Sequence, residues 1–111
     1  MLWSSEEVVT ALYFASRKIT LEAVSALLSR RGYNRSSVAV NKKLGELRQV
    51  EKELYNGSRQ GWNLAAVDKY LDSLLHCTTV NMLIKTTEED HHIIIEVCCL
   101  ALRILLITND R

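Results

Sequence analysis

Apolar residues recur at three- and four-residue spacing through nearly the whole chain, the period of helices packed on one side. Val8, Ala11, Leu12 and Ala15 form the first such row. Ser4 and Glu7 ahead of it have capping-box spacing, and Trp3 sits where it packs back over the helix start. Arg17 and Lys18 suit the negative pole at its far end. A second row, Leu21, Val24, Leu27 and Leu28, begins after Thr20 and closes with Arg30 and Arg31. Gly32 then suits the left-handed position that ends a helix. A third row, Val40, Leu44, Leu47, Val50 and Leu54, starts from Ser36 or Ser37 and predicts a helix running to about residue 55. Asn56-Gly57-Ser58 ends it, in a loop that extends to Gly61.

The pattern resumes at Asn63, a cap for Leu64, Val67, Leu71, Leu74 and Leu75, with Trp62 just ahead of it. A break near Thr78-Thr79 leads to Val80, Met82, Leu83 and Ile84. Thr86 and Glu89 make a second capping-box pair, and Glu88-Glu89-Asp90 falls in the first turn of a last helix, about 87–108. That helix is apolar on nearly every side, interrupted by Glu96 and Arg103, so its own domain or a partner must bury it. The predicted fold class is all-α: an N-terminal three-helix helix-turn-helix bundle over 1–55, extended by about two C-terminal helices over 62–111 that pack on it.

Composition agrees. The chain has 111 residues, one domain's worth, and no proline to interrupt helices. At 48% hydrophobic and 24% charged it is neither a disordered polyelectrolyte nor a membrane protein. Ile93 to Ile107 is strongly apolar but too short to span a bilayer, and it contains Glu96 and Arg103. Cys77, Cys98 and Cys99 are odd in number, two are adjacent, and all lie in apolar helical context, so they read as buried and reduced. The first residues lack a signal-peptide profile. An intracellular protein is expected. The net charge of +1 hides an asymmetry: residues 1–50 carry eight Lys/Arg against four Glu, whereas 51–111 carry six basic against nine acidic groups. A basic front and an acidic back suggest two surfaces with different partners.

Residues 3–7 read W-S-S-E-E, 21–28 read L-E-A-V-S-A-L-L, and 35–44 read R-S-S-V-A-V-N-K-K-L. This set resembles the Myb/SANT-like (homeodomain-like) group of three-helix modules over residues 3–48. In that pattern Leu21, Val24, Ser25 and Leu28 stand where W, I, A and L are usual, and Leu44 stands at the last core position. Two of the three family tryptophans are thus leucines here. The resemblance implies a nuclear, DNA- or chromatin-binding regulator of transcription whose third helix is the contact element. Val40, Leu44 and Leu47 would then face inward, while Asn41, Lys42, Gly45, Arg48 and Gln49 face outward. Asn pairs with adenine edges, and Arg and Lys with guanine edges or phosphates. Arg30, Arg31, Arg35 and Lys43 would fix register on the phosphate backbone. Glu46 opposes this by repelling phosphates, and Gly45, costly inside a helix, suggests close packing against something there. Some SANT-like modules bind proteins instead, including histone tails.

The rival reading is a protein-interaction module that never touches DNA. One face of the last helix, Ile95, Cys99, Leu102 and Leu106, would then pair with a partner or a second copy, since two-fold pairing is the commonest burial of a self-complementary patch. Catalytic and cofactor chemistry find no support. His76, His91, His92 and the cysteines lack the spacing of a zinc site, so no metal is expected. The four glycines are scattered, no serine has a nucleophile-elbow setting, and Asp68 and Asp72 have nothing nearby to tune them as an acid/base pair. The chain reads as a non-enzyme without cofactors.

Overall fold

The structure, a computed structural model, describes residues 2–55 and 61–97. It is all-α, and no strand occurs among the described residues. α1 spans Ser5–Ser16 and opens with the capping box anticipated from sequence. The Ser4 amide donates to Glu7 Oε1 at 2.9 Å, and the Glu7 amide donates to Ser4 Oγ at 3.2 Å. The helix ends in a Schellman turn, with the Ile19 amide on the Phe14 carbonyl and the Lys18 amide on the Ala15 carbonyl. Lys18 itself takes the left-handed position, at φ 68°. α2 spans Leu21–Arg30 with Thr20 as its N-cap, and ends on the same motif with Gly32 at φ 91°.

α3 spans Ser37–Val50 with Ser36 as its cap, five residues shorter than its apolar row suggests. The reason is geometric. Val50 and Leu54 would share one face of a straight helix, and Val50 is 74% exposed. The chain breaks at Glu51 and makes a 3₁₀ turn over Lys52–Leu54, which swings Leu54 into the core. Tyr55 and Trp62 then pair as an isolated antiparallel bridge. α4 spans Leu64–Leu74, capped by Asn63; it buries Val67 and Leu71, while Leu64 is exposed. α5 spans Cys77–Ile84, so the break falls at Leu75-His76 and both threonines lie inside the helix. Cys77, expected to be buried, is exposed at the start of α5.

Residues 88–97 are helical. Their reciprocal cap is Thr87 with Asp90, one position later than Thr86 with Glu89. The Thr87 amide donates to Asp90 Oδ2 at 3.0 Å, and the Asp90 amide to Thr87 Oγ1 at 3.1 Å. The continuation expected to about 108 lies outside the described residues from 98 on.

α1 is the hub of the packing. It lies against α2, α4 and α5, whereas α3 packs on α2 and the 3₁₀ turn. Val9, Leu12, Leu27, Leu28, Val40, Val67 and Leu71 join a single apolar core drawn from both halves of the chain. The charge asymmetry acts across the same boundary. Arg17 pairs with Asp68 at 2.8 Å, Arg31 with Asp90 at 2.8 Å, and Arg30 with Asp90 at 3.3 Å and Glu89 at 3.6 Å. Three arginines of the basic front are thus paired with carboxylates of the acidic back. Among the described residues, no helix is long and apolar enough to cross a membrane.

Candidate nucleic-acid interface

α3 has two distinct sides. Val40, Leu44 and Leu47 are buried, at 0%, 3% and 7% exposure. On the outer side Asn41, Lys42 and Gln49 are exposed, and α4 and α5 pack on α1 instead of covering them. The inward row expected from the sequence is buried; of the outward row Asn41, Lys42 and Gln49 are exposed, whereas Gly45 and Arg48 are half-buried.

Two hollows flank this outer side. One, of about 390 Å³, lies between the N-terminal segment and α3, bordered by Leu2, Trp3, Arg35, Ala39, Lys42, Lys43 and Glu46. The other, of about 450 Å³, is bordered by Lys42, Gly45, Glu46, Arg48, Gln49 and Tyr55. Lys42 and Glu46 edge both, so they form the crest between them.

The expected contact residues divide into two sets. Asn41, Lys42, Lys43, Arg48 and Gln49 all sit on α3; Lys43 is half-buried, 3.9 Å from Glu46. Arg30, Arg31 and Arg35 are engaged inside the protein. Arg31 is 14% exposed: it grips both oxygens of Asp90 and donates to the carbonyls of Leu27, Leu83 and Lys85. Burial pushes the Asp90 carboxyl up, but the hydrogen bonds from Arg31 and the Thr87 amide, with the Arg31 charge, outweigh it and hold the group below its ordinary value. Arg35 is 10% exposed, pairs with the buried Glu7, donates to the Leu2 carbonyl and stacks over Trp3 at 4.7 Å. Its hydrogen bond is the main reason the Glu7 carboxyl is lowered to about 2, against the desolvation that burial imposes. Arg30 is 40% exposed and shared between Glu89 and Asp90. Arg31 and Arg35 thus tie separate segments of the fold together, while Arg30 is paired at the surface.

Sequence reasoning did not find the partners of Arg48. Its guanidinium lies 5.2 Å from the centre of the Tyr55 ring and 5.6 Å from that of Trp62. The two rings meet edge to face at 5.2 Å, joined by their backbone bridge. An aromatic just before a helix cap was the only local sign, and it carries no information about an arginine fourteen residues earlier. Gly45 also differs from expectation. A side chain there would meet only Arg48 Nη2, at 3.7 Å, so no part of the described chain packs closely on it.

On the last helix Ile93 and Ile94 pack against the core while Ile95 is 59% exposed. Cys99, Leu102 and Leu106, which would share the Ile95 face, lie outside the described residues. No group of three or more His, Cys, Asp or Glu placed to hold a metal occurs among the described residues. No protein-family model, no characterised protein and no solved structure matches the chain.

Proposed function

We propose that this chain is a non-enzymatic DNA- or chromatin-binding module of a nuclear regulator, of Myb/SANT-like type, with α3 as the contact element. The observation that carries the reading is the open outer side of α3. Asn41, Lys42 and Gln49 stand in solvent on a helix whose opposite row is sealed into the core. A helix presented this way fits the major groove, where Asn and Gln pair with adenine and Lys with guanine or phosphate. The contact set is smaller than the sequence suggests, because Arg30, Arg31 and Arg35 stay with their internal partners. Lys42, Lys43 and Arg48 remain as the cations on α3 that face a duplex.

That small set fixes the expected salt dependence. Neutralising two or three phosphates gives a slope of about −2 to −3 for log affinity against log salt. Fluorescence anisotropy with a mixed-sequence duplex, titrated at several salt concentrations, measures it. Lys42→Ala with Arg48→Ala removes about two units of that slope. Undetectable binding by the unmodified protein at low salt refutes the reading.

A second reading rests on Ile95, a large apolar side chain 59% exposed on the last helix. Pairing with a second copy or another protein through that face would cover it. Ile95→Glu lowering the solution mass from dimer to monomer supports this reading, and a monomeric unmodified protein removes the homodimer.

A further inference from the structure

Gly45 lies in the interior of α3, where a glycine weakens the helix. Nothing among the described residues calls for it. A Cβ at this position would make only an ordinary contact with the Arg48 side chain, and φ here is not in the left-handed region. What the missing side chain does is open the α3 backbone at the second hollow, whose border it shares with Lys42, Arg48, Gln49 and Tyr55. Bare helix backbone beside a hollow allows close approach by something that is not part of this fold.

The chemistry around that opening is anion-receiving. Lys42 and Arg48 both border the hollow, and neither has an ion-pair partner among the described residues. Gln49 adds an amide, and Tyr55 makes a wall. Glu46 is the opposing charge, at the crest shared with the first hollow and within 3.9 Å of Lys43. Arg48 is also held. A free arginine side chain loses considerable rotamer entropy when it binds, but one already stacked on Tyr55 and Trp62 loses less.

We infer that the hollow at Gly45 seats one sugar–phosphate unit of a nucleic-acid strand, with Tyr55 and Trp62 as positioning residues that fix Arg48 as its anion contact. The inference rests on the DNA-binding reading above and names where a backbone unit docks. A nucleic-acid strand is favoured over an acidic peptide because the hollow is bordered by Gln49, whose amide complements base edges, and because its aromatic wall suits a sugar face.

The test compares Gly45→Leu, Arg48→Ala, Trp62→Leu and the Arg48→Ala/Trp62→Leu pair with the unmodified chain. Each is titrated against a labelled duplex of about 20 base pairs, two helical turns, and followed by urea unfolding. Gly45→Leu is expected to raise the urea midpoint, because leucine favours helix, while weakening duplex binding about tenfold. A variant that is more stable yet binds less well separates docking from folding. Trp62→Leu is expected to lose what Arg48→Ala loses, and the pair to bind no more weakly than Arg48→Ala alone. Unchanged affinity in Gly45→Leu overturns the seat, and fully additive losses in the pair overturn the positioning role; in both cases the DNA-binding reading survives. Absence of duplex binding by the unmodified chain removes both. Poly-glutamate binding as tightly as duplex, with the same ranking of variants, overturns the nucleic-acid assignment in favour of an acidic protein.

Discussion

Replacing Asp90 with asparagine preserves the shape of the side chain and removes its charge. The carboxylate is 2% exposed and accepts four hydrogen bonds: two from Arg31 at 2.8 and 3.1 Å, one from Arg30 at 3.3 Å and one from the Thr87 amide at 3.0 Å. Removing one partner of a buried pair costs about 3–5 kcal/mol, because the survivor keeps an uncompensated charge. Arg31 retains three backbone carbonyls after the change and Arg30 is 40% exposed, so the loss belongs near the lower end, about 3 kcal/mol. A surface pair would be worth about 0–1 kcal/mol, which makes the two accounts separable. With a urea slope of about 1.5 kcal/mol per molar, the midpoint falls by about 2 M. Arg31→Met and the Arg31→Met/Asp90→Asn pair complete a double-mutant cycle, in which a coupling above about 1 kcal/mol is expected. A midpoint shift equivalent to less than about 1 kcal/mol, or additive single losses, would refute the claim that this ion pair joins the end of α2 to the last helix.

Two further outcomes follow from the caps. Lys18→Gly removes the strain of a left-handed lysine in the turn after α1 and is expected to stabilise the protein by about 0.5–1 kcal/mol in urea unfolding, with no change in duplex binding. Glu7 has a folded-state pKa of about 2 against an ordinary 4.5, chiefly through its hydrogen bond from Arg35. Its stabilisation is therefore present in full above about pH 4.5 and is lost as pH falls toward 2. Urea midpoints measured between those limits should fall in the unmodified chain, and Glu7→Gln should remove Glu7's share of that fall.

Local structure was readable where its causes are local. Ser4 with Glu7, Thr20, Gly32, Ser36 and Asn63 each act within four residues of themselves, and each behaves in the structure as its sequence context suggests. The all-α class followed from the same period. Errors arose where a distant residue decided the outcome. The apolar period carries Leu54 on along α3, but the core lies to one side, and the chain turns to reach it. The last helix begins on Thr87 and Asp90, and the same carboxylate is bound by Arg31, 59 residues earlier, a partner the local pattern does not announce. The arginines of the candidate surface divide on the same principle. Arg31 and Arg35 look as free as Lys42 in a one-dimensional pattern, and only the folded chain brings Asp90 and Glu7 to them. Arg48 with Tyr55 and Trp62 belongs to the same class: three residues without regular spacing, gathered by a turn and a bridge.

The central place of α1 also bears on how the molecule is born. During synthesis its first three helices emerge from the ribosome well before the segments that will clothe the other flanks of α1. Until Asp90 is translated, the guanidinium of Arg31 lacks the carboxylate that answers it in the finished fold. The nascent front half is thus an incomplete object, greasy along one helix and over-charged at the end of another, and the fold closes only when the tail arrives.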